Sequence, residues 1–221
     1  MFQYFYNKSL RKLVVGFGAL FNNIVVEHAN PDNVNSPIPI RVPITYAPQE
    51  KFIRRLLEPS SITDGTRIET QLPKLSYIIT SIIPDNSRRR NRLSSLRAPA
   101  FQNSECQSTG EEILEQVPVN IQFSLFIYTR HIDDTLQIFE QIIPYFNPDH
   151  VITIALNDVQ GEVKIPITMV GNNLSERFDG DFSNRRINIS SINFVAKSYI
   201  YGPERSYTNI STVDITNLEF D

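Results

Sequence analysis

The 221-residue chain has one cysteine, Cys106, and three histidines, His28, His131 and His150. A single cysteine closes no internal disulfide, which fits a reducing cytoplasm. No two histidines stand four residues apart, and the paired ligands of a zinc site are missing, so no metal is expected. No cysteine–histidine nucleophile signature is present either. A phosphate-binding loop is also lacking. The one Gly-x-Gly, Gly16-Phe17-Gly18, lies inside a helical pattern rather than after a strand. No apolar run approaches the ~20 residues of a membrane span. The opening residues lack the cationic, apolar and small-residue layout of a signal peptide. The net charge of −3 gives no reason to expect a polyanion partner. The expectation is a soluble protein made in a cytoplasm, with no membrane, no cofactor and no small-molecule substrate.

What is present centres on the stretch from Val119 to Ile154. Val119, Ile121, Phe123, Leu125 and Ile127 alternate with Asn120, Gln122 and Ser124, the period of a strand with one buried face. Phe126 and Tyr128 make the second face apolar at the far end, which predicts cover on both sides there. The period then changes to helical, with Ile132, Leu136, Phe139, Ile142, Ile143 and Phe146 forming one apolar stripe. Asp133 and Asp134 fall in the first turn, where carboxylates suit the positive end of the helix dipole. As neighbours they point ~100° apart, so they do not form a shared acid or metal pair. Pro144 predicts a kink or a 3₁₀ finish, and Asn147-Pro148 a stop. Val151–Leu156 is the next strand, so the helix must cover one sheet face.

Ahead of this unit, Leu10, Leu13, Val14, Phe17 and Leu20 predict an amphipathic helix, with Gly16 and Gly18 as weak points or places of close approach. The aromatics Phe2, Tyr4, Phe5 and Tyr6 read as a packed anchor. A hairpin is expected from a strand beginning at Asn23–Val26 and a return over Ile40–Thr45, with Pro43 marking an edge. A short helix is expected over Pro48–Leu57. Leu75–Ile83 is a strongly apolar strand. From Ser87 to Glu115 the pattern disappears, and a loop of that length is uncommon in a compact domain. Further on, Glu162–Val170 is a strand with Pro166 at an edge or bulge, and Gly171–Asn184 reads as a polar loop. Arg186–Tyr201 is a long strand whose frame slips at Ser190-Ser191, predicting a bulge. Tyr207–Phe220 reads as an edge strand or an arm. The fold class expected is α+β: a mixed, mainly antiparallel twisted sheet flanked by helices, in a single domain over 1–221. A long irregular loop at about 85–117 and an arm at about 203–221 complete it.

Asp179-Gly180-Asp181 resembles half a calcium loop but lacks the later ligands, so it reads as a polar turn. The cluster Arg88, Arg89, Arg90 and Arg92 has no interleaved aromatics. In an acidic chain it reads as a solvated loop, or one that docks on an acidic protein surface, before it reads as a nucleic-acid site.

Several blocks, in order, resemble the tail sheath stabiliser and completion (tail terminator) proteins of T-even-like contractile-tailed bacteriophages. They are Met1-Phe2-x-Tyr4-Phe5-Tyr6-Asn7, then Arg41-Val42-Pro43-Ile44-Thr45-Tyr46-Ala47, then Thr129-Arg130-x-x-Asp133-Asp134-x-x-Gln137-Ile138-x-Glu140-Gln141-Ile142-x-Pro144-Tyr145-Phe146-x-Pro148, and last Asp179-Gly180-Asp181 with Arg185-Arg186-Ile187. The resemblance implies a non-enzymatic virion protein with a tail-terminator-type α+β core. It implies a hexameric ring capping the head-proximal end of the tail. The implied partners are other copies of the chain, the tail sheath protein, the tail tube or tube-terminator protein, and neck proteins. Family members tend to continue into a longer polar C-terminal extension than this sequence has. Arg41, Pro43, Arg130, Arg185 and Arg186, with the Arg88–Arg92 cluster, are the candidate protein-interface residues. The rival readings are a neck or head-completion adaptor that contacts DNA, and an enzyme with a cleft between the long loop and the central unit.

Overall fold

The computed structural model describes residues 4–29, 37–51, 72–90, 95–97, 101–102, 108–114, 116–155, 162–177 and 187–208. Helix α1 (Ser9–Leu20) follows a left-handed Lys8. Strands β1 (Val25–His28) and β2 (Ile38–Arg41) form the expected hairpin as a separate two-stranded sheet. The returning strand is then interrupted and resumes as β3 (Ile44–Tyr46) in a different sheet. At the break, the buried Val42 donates its N–H to Ile24 O at 2.9 Å, and Pro43 O accepts from Leu75 N at 2.9 Å. A residue without an N–H suits a junction where only its carbonyl is needed.

The main sheet has the order β3-β4-β8-β11-β10-β9, where β4 is Lys74–Pro84, β8 Val117–Thr129, β9 His150–Ala155, β10 Glu162–Arg177 and β11 Ile187–Ile200. Only the β3–β4 pair is parallel. Between β8 and β9 run α2 (Ile132–Ile142) and a 3₁₀ turn (Ile143–Phe146) at the place Pro144 marks. The alternating residues of β8 are all buried, and with Leu13 and Phe17 of α1 and Ile138 and Ile142 of α2 they form one core on one sheet face. Phe17 is fully buried at its centre. Its ring stacks on Phe123 (4.3 Å between centroids) and meets Phe21 and Phe194 edge-on. Gly18 lets Tyr77 cross the helix: a Cβ there would lie 2.8 Å from Tyr77 Cζ and closer still to its hydroxyl, which donates to Val14 O. Close approach is thus the role of Gly18, while Gly16 has only ordinary contacts.

The second face is covered at one end, as Phe126 and Tyr128 foretell. Tyr128 and Ile189 are buried there, with Phe126, Ile187 and Leu72 partly buried against them. This explains the frame slip in β11 and corrects the predicted bulge. Its register with β8 runs without a break through Ser190 and Ser191. Ile187 and Ile189 serve the second face, and Ile192, Phe194 and Ala196 serve the first. The shifts in register fall instead in β4, between Ile79 and Ser81, and in β10, between Met169 and Gly171.

Other expectations change as well. Gly171–Arg177 continues β10 rather than looping, because main-chain pairing to β11 holds a segment with no apolar alternation. The patternless stretch holds strands β5 (Ser95–Arg97), β6 (Phe101–Gln102) and β7 (Ser108–Leu114). β7 pairs with β12 (Glu204–Thr208), so the expected loop and arm meet in a small third sheet. On α2 and the turn after it, Ile132, Leu136 and Ile143 are exposed, while Asp134, Thr135 and Ile138 are buried beside Phe139 and Ile142. The core-facing stripe is rotated one step from the most apolar one. The helix expected from Pro48 is helical at 49–51 and otherwise lies outside the described residues, as do Cys106 and Asp179–Asp181.

Burial raises the pKa of Tyr128, against a lowering hydrogen bond from Ser76; it also raises those of Tyr77 and Tyr201, helped by Tyr46 and Tyr199 respectively. Each phenol holds its proton more tightly folded than unfolded, so these groups favour folding below the ordinary tyrosine value of about 10 and lose that contribution as pH rises through the raised values. Urea midpoints are expected to be flat from neutral pH to about 10 and to fall beyond it. A steady rise through that range would contradict the sign.

Candidate interaction surfaces

The arginine turn is built by Asp85. Its carboxylate accepts from Ser87 Oγ (2.6 Å), Ser87 N (3.0 Å) and Arg88 Nε (2.7 Å). The Ser87 hydroxyl first, and then the Arg88 guanidinium, hold this carboxyl well below the usual range. Arg88 also donates to Val119 O (3.3 Å) and Asn120 Oδ1 (2.9 Å), and its guanidinium lies 5.2 Å from the Tyr199 ring centre. Arg88 therefore clasps β8 and β11, while Arg89 and Arg90 are exposed beside it. The described arginines of the cluster are not equivalent. Arg88→Ala is expected to lose about 1–2 kcal/mol of stability from the contacts to Val119, Asn120 and Tyr199. Arg89→Ala is expected to stay within about 0.5 kcal/mol of the parent. Chemical denaturation separates the two.

Arg41 is likewise engaged with its own chain, donating through Nε to Asn22 O at 2.9 Å and through a terminal nitrogen to Asn23 Oδ1 at 3.4 Å. Pro43 and Arg130 are exposed. Arg92, Arg185 and Arg186 lie outside the described residues. Of the described candidates, Arg41 and Arg88 are held by contacts in different parts of the fold.

The helix block of the resemblance has a local explanation. Gln137 accepts from Glu27 N (2.9 Å) and donates to Glu27 O (3.1 Å). One turn on, Gln141 accepts from Val25 N (3.3 Å) and donates to Val25 O (2.6 Å). Residues i and i+4 on a helix lie one above the other, and residues i and i+2 on a strand offer their main-chain groups to the same side. Two side-chain amides thus stand in for a partner strand and close the outer edge of β1. Beside them the buried carboxylate of Asp134 lies 2.9 Å from His28 Nε2, and Asp133 accepts from Gln137 Nε2 at 2.9 Å. The two aspartates do not share a site, as their spacing requires.

Elsewhere edges are open. β3 covers β4 only at Leu75–Tyr77, and β9 covers β10 only at Glu162–Ile167. Among the described residues, the outer side of Thr168–Arg177 in β10 has no strand partner, and Val170 (65% exposed) and Leu174 (52%) stand out along it. Pro166 occupies the part of β10 that pairs with β9 but not with β11, so its edge reading holds on one side. A groove of about 580 Å³ opens between the end of α1 and the 3₁₀ turn, lined by Leu20, Ile24, Glu140, Pro144, Tyr145 and His150. The described residues hold no cluster of His, Cys, Asp or Glu fit for a metal and no helix long and apolar enough to cross a membrane.

Sequence reasoning missed the glutamine clasp, the His28–Asp134 pair and the exposed apolar ridge of α2. The first two join residues more than a hundred positions apart, which no local pattern reports.

Comparison with known proteins agrees with the blocks read above. The profile of the T4-like virus Myoviridae tail sheath stabiliser family matches residues 4–220. Tail completion protein gp15 of Enterobacteria phage T4 is 32% identical over 212 residues, covering 92% of this chain and 74% of that protein. With an α+β sheet of the expected class and a match along nearly its whole length, this chain belongs to the tail sheath stabiliser family of T4-like phages, a family of structural tail proteins.

Proposed function

We propose that the chain forms a ring, six copies round, at the head-proximal end of a contractile tail, ending tube and sheath growth, holding the sheath extended and presenting a face to the neck. It does so without enzymatic activity. Stacked rings joined by heterologous contacts do not stop growing by themselves. A terminator must match the last ring with one face and refuse another layer with the other. The observation that supports this most is the outer edge of β10, which has no strand partner among the described residues. A strand with free main-chain donors and acceptors takes up an extended segment of a partner, here one from the sheath subunit. The glutamine clasp on β1 and the prolines at 43 and 166 keep other stretches of edge from pairing.

Val170→Lys with Leu174→Lys leaves the core untouched, since both side chains are exposed, and sets two charges on the docking edge. Tails completed with this variant are expected to contract or shed sheath while the variant itself stays folded. A map of the capped tail in which the β10 edge meets no main chain would overturn the strand-addition step. Arg89 and Arg90 supply the second contact, to acidic tube, sheath or neck surface. Single exposed pairs contribute ~0–1 kcal/mol, but copies arranged in a ring act together. Their alanine variants are expected to weaken tail attachment, more so at high salt, and unchanged attachment would count against that contact.

A further inference from the structure

Of the expected packed anchor, Phe2 lies outside the described residues, and Tyr4, Phe5 and Tyr6 stand exposed. They are 91%, 47% and 55% exposed, in a segment held, among the described residues, at its root, where Asn7 Nδ2 donates to Tyr201 O and Gly202 O. Three adjacent exposed aromatics are a large unburied apolar area for one short segment. The aromatic-lined groove lies at the other end of the same helix: α1 starts three residues after Tyr6 and its last residue, Leu20, lines the groove. Twelve helical residues set the two features about 18 Å apart, pointing to contact between copies rather than within one.

We infer that Tyr4, Phe5 and Tyr6 dock in the groove of a second copy of this chain, head to tail. Size, chemistry and charge support this occupant. Each buried aromatic covers about 150–250 Å². At the observed exposures the three leave about 300–500 Å² to cover, about 600–1,000 Å² with the matching groove wall, the size of a weak contact that repetition round a ring reinforces. The groove offers apolar walls from Leu20, Ile24 and Pro144, the ring of Tyr145, and polar partners for two phenol hydroxyls in Glu140 and His150. At the root of the aromatic segment Lys8 and Arg11 are exposed, and at the groove so are Glu140 and Asp149, so the charges are opposite. A contact between two different patches is heterologous and closes into a ring when its rotation allows. The inference deepens the ring reading and rests on it for closure, but not for the contact itself.

The test uses the full chain with Cys106→Ser as background. Protein carrying Tyr4→Cys is mixed with protein carrying Tyr145→Cys and treated with a short bis-thiol-reactive linker. Cross-linking is expected in the mixture and not in either protein alone. In parallel, light scattering compares the parent with Tyr4→Ser, Phe5→Ser and Tyr6→Ser combined. All three positions are exposed, so the fold is retained, and self-association is expected to weaken by at least about a hundredfold. Rings that persist in the triple variant, without cross-linking in the mixture, would overturn this contact and leave the ring reading standing. A parent that remains monomeric at its highest soluble concentration would also overturn the contact. Cross-linked open chains with no closed ring on tails would support the contact and sink the ring reading.

Discussion

Replacing Phe17 by alanine is expected to lower stability by about 3–5 kcal/mol, the usual cost of emptying an aromatic site in a packed core. The residue is fully buried and touches four other rings: Phe21, Tyr77, Phe123 and Phe194. Those rings come from the residue that caps α1 and from β4, β8 and β11, so the cavity would loosen the helix from the strands beneath it. The functional consequence is specific, because α1 links the exposed aromatic segment at one end to the groove at the other. Denaturation midpoints measure the loss, and light scattering is expected to show weakened self-association of the chains that remain folded. A change below about 1 kcal/mol would mean that the helix does not depend on this ring.

The second large effect is expected from Gln137→Ala combined with Gln141→Ala. Together these remove four hydrogen bonds to main-chain groups of Val25 and Glu27. At about 0.5–1.5 kcal/mol each, with water replacing part of the loss at this partly exposed edge, the expected cost is about 2–4 kcal/mol. Each single variant is expected to cost roughly half. The double variant also exposes a strand edge that the parent keeps closed, and open edges invite association. Sedimentation is therefore expected to show larger, irregular species beside any ring. Equal stability with no new species would show that the clasp is incidental to the fold.

Much of the architecture was legible where burial imposes a period. Val119 to Ile127 alternate cleanly because one face of β8 meets the core, and Phe126 and Tyr128 announced the second cluster because cover on both faces abolishes alternation. Pro144 marked the 3₁₀ turn through its missing N–H. The polar strands β5, β6, β7 and β12 had no such signal. Segments such as Ser95–Arg97 and Ser108–Leu114 are held by main-chain pairing, which any sequence can supply. The α2 stripe misled because Ile132 and Leu136 are as apolar as Ile138 but sit on a surface ridge. Apolar character alone does not say whether a residue faces its own core or another molecule.

The interaction surfaces were less legible than the fold. Charge pointed to Arg88–Arg92, yet Arg88 is taken up by Asp85 and Asn120, a pairing between segments 32 positions apart at its widest. The resemblance drew attention to Gln137 and Gln141 without saying why they matter. Their reason is geometric: one helical turn matches two strand residues, and only the folded chain brings α2 beside β1. The open edge of β10 was hidden for a similar reason, since Gly171–Arg177 has the composition of a loop.

The most direct measurement is a cryo-electron microscopy map of the head-proximal end of intact, extended tails. The account predicts a closed six-fold ring of this chain above the last sheath layer, with a sheath segment hydrogen-bonded along Thr168–Arg177. Extended, head-joined tails in particles lacking this chain, or a map with no ring of it at that end, would contradict the account.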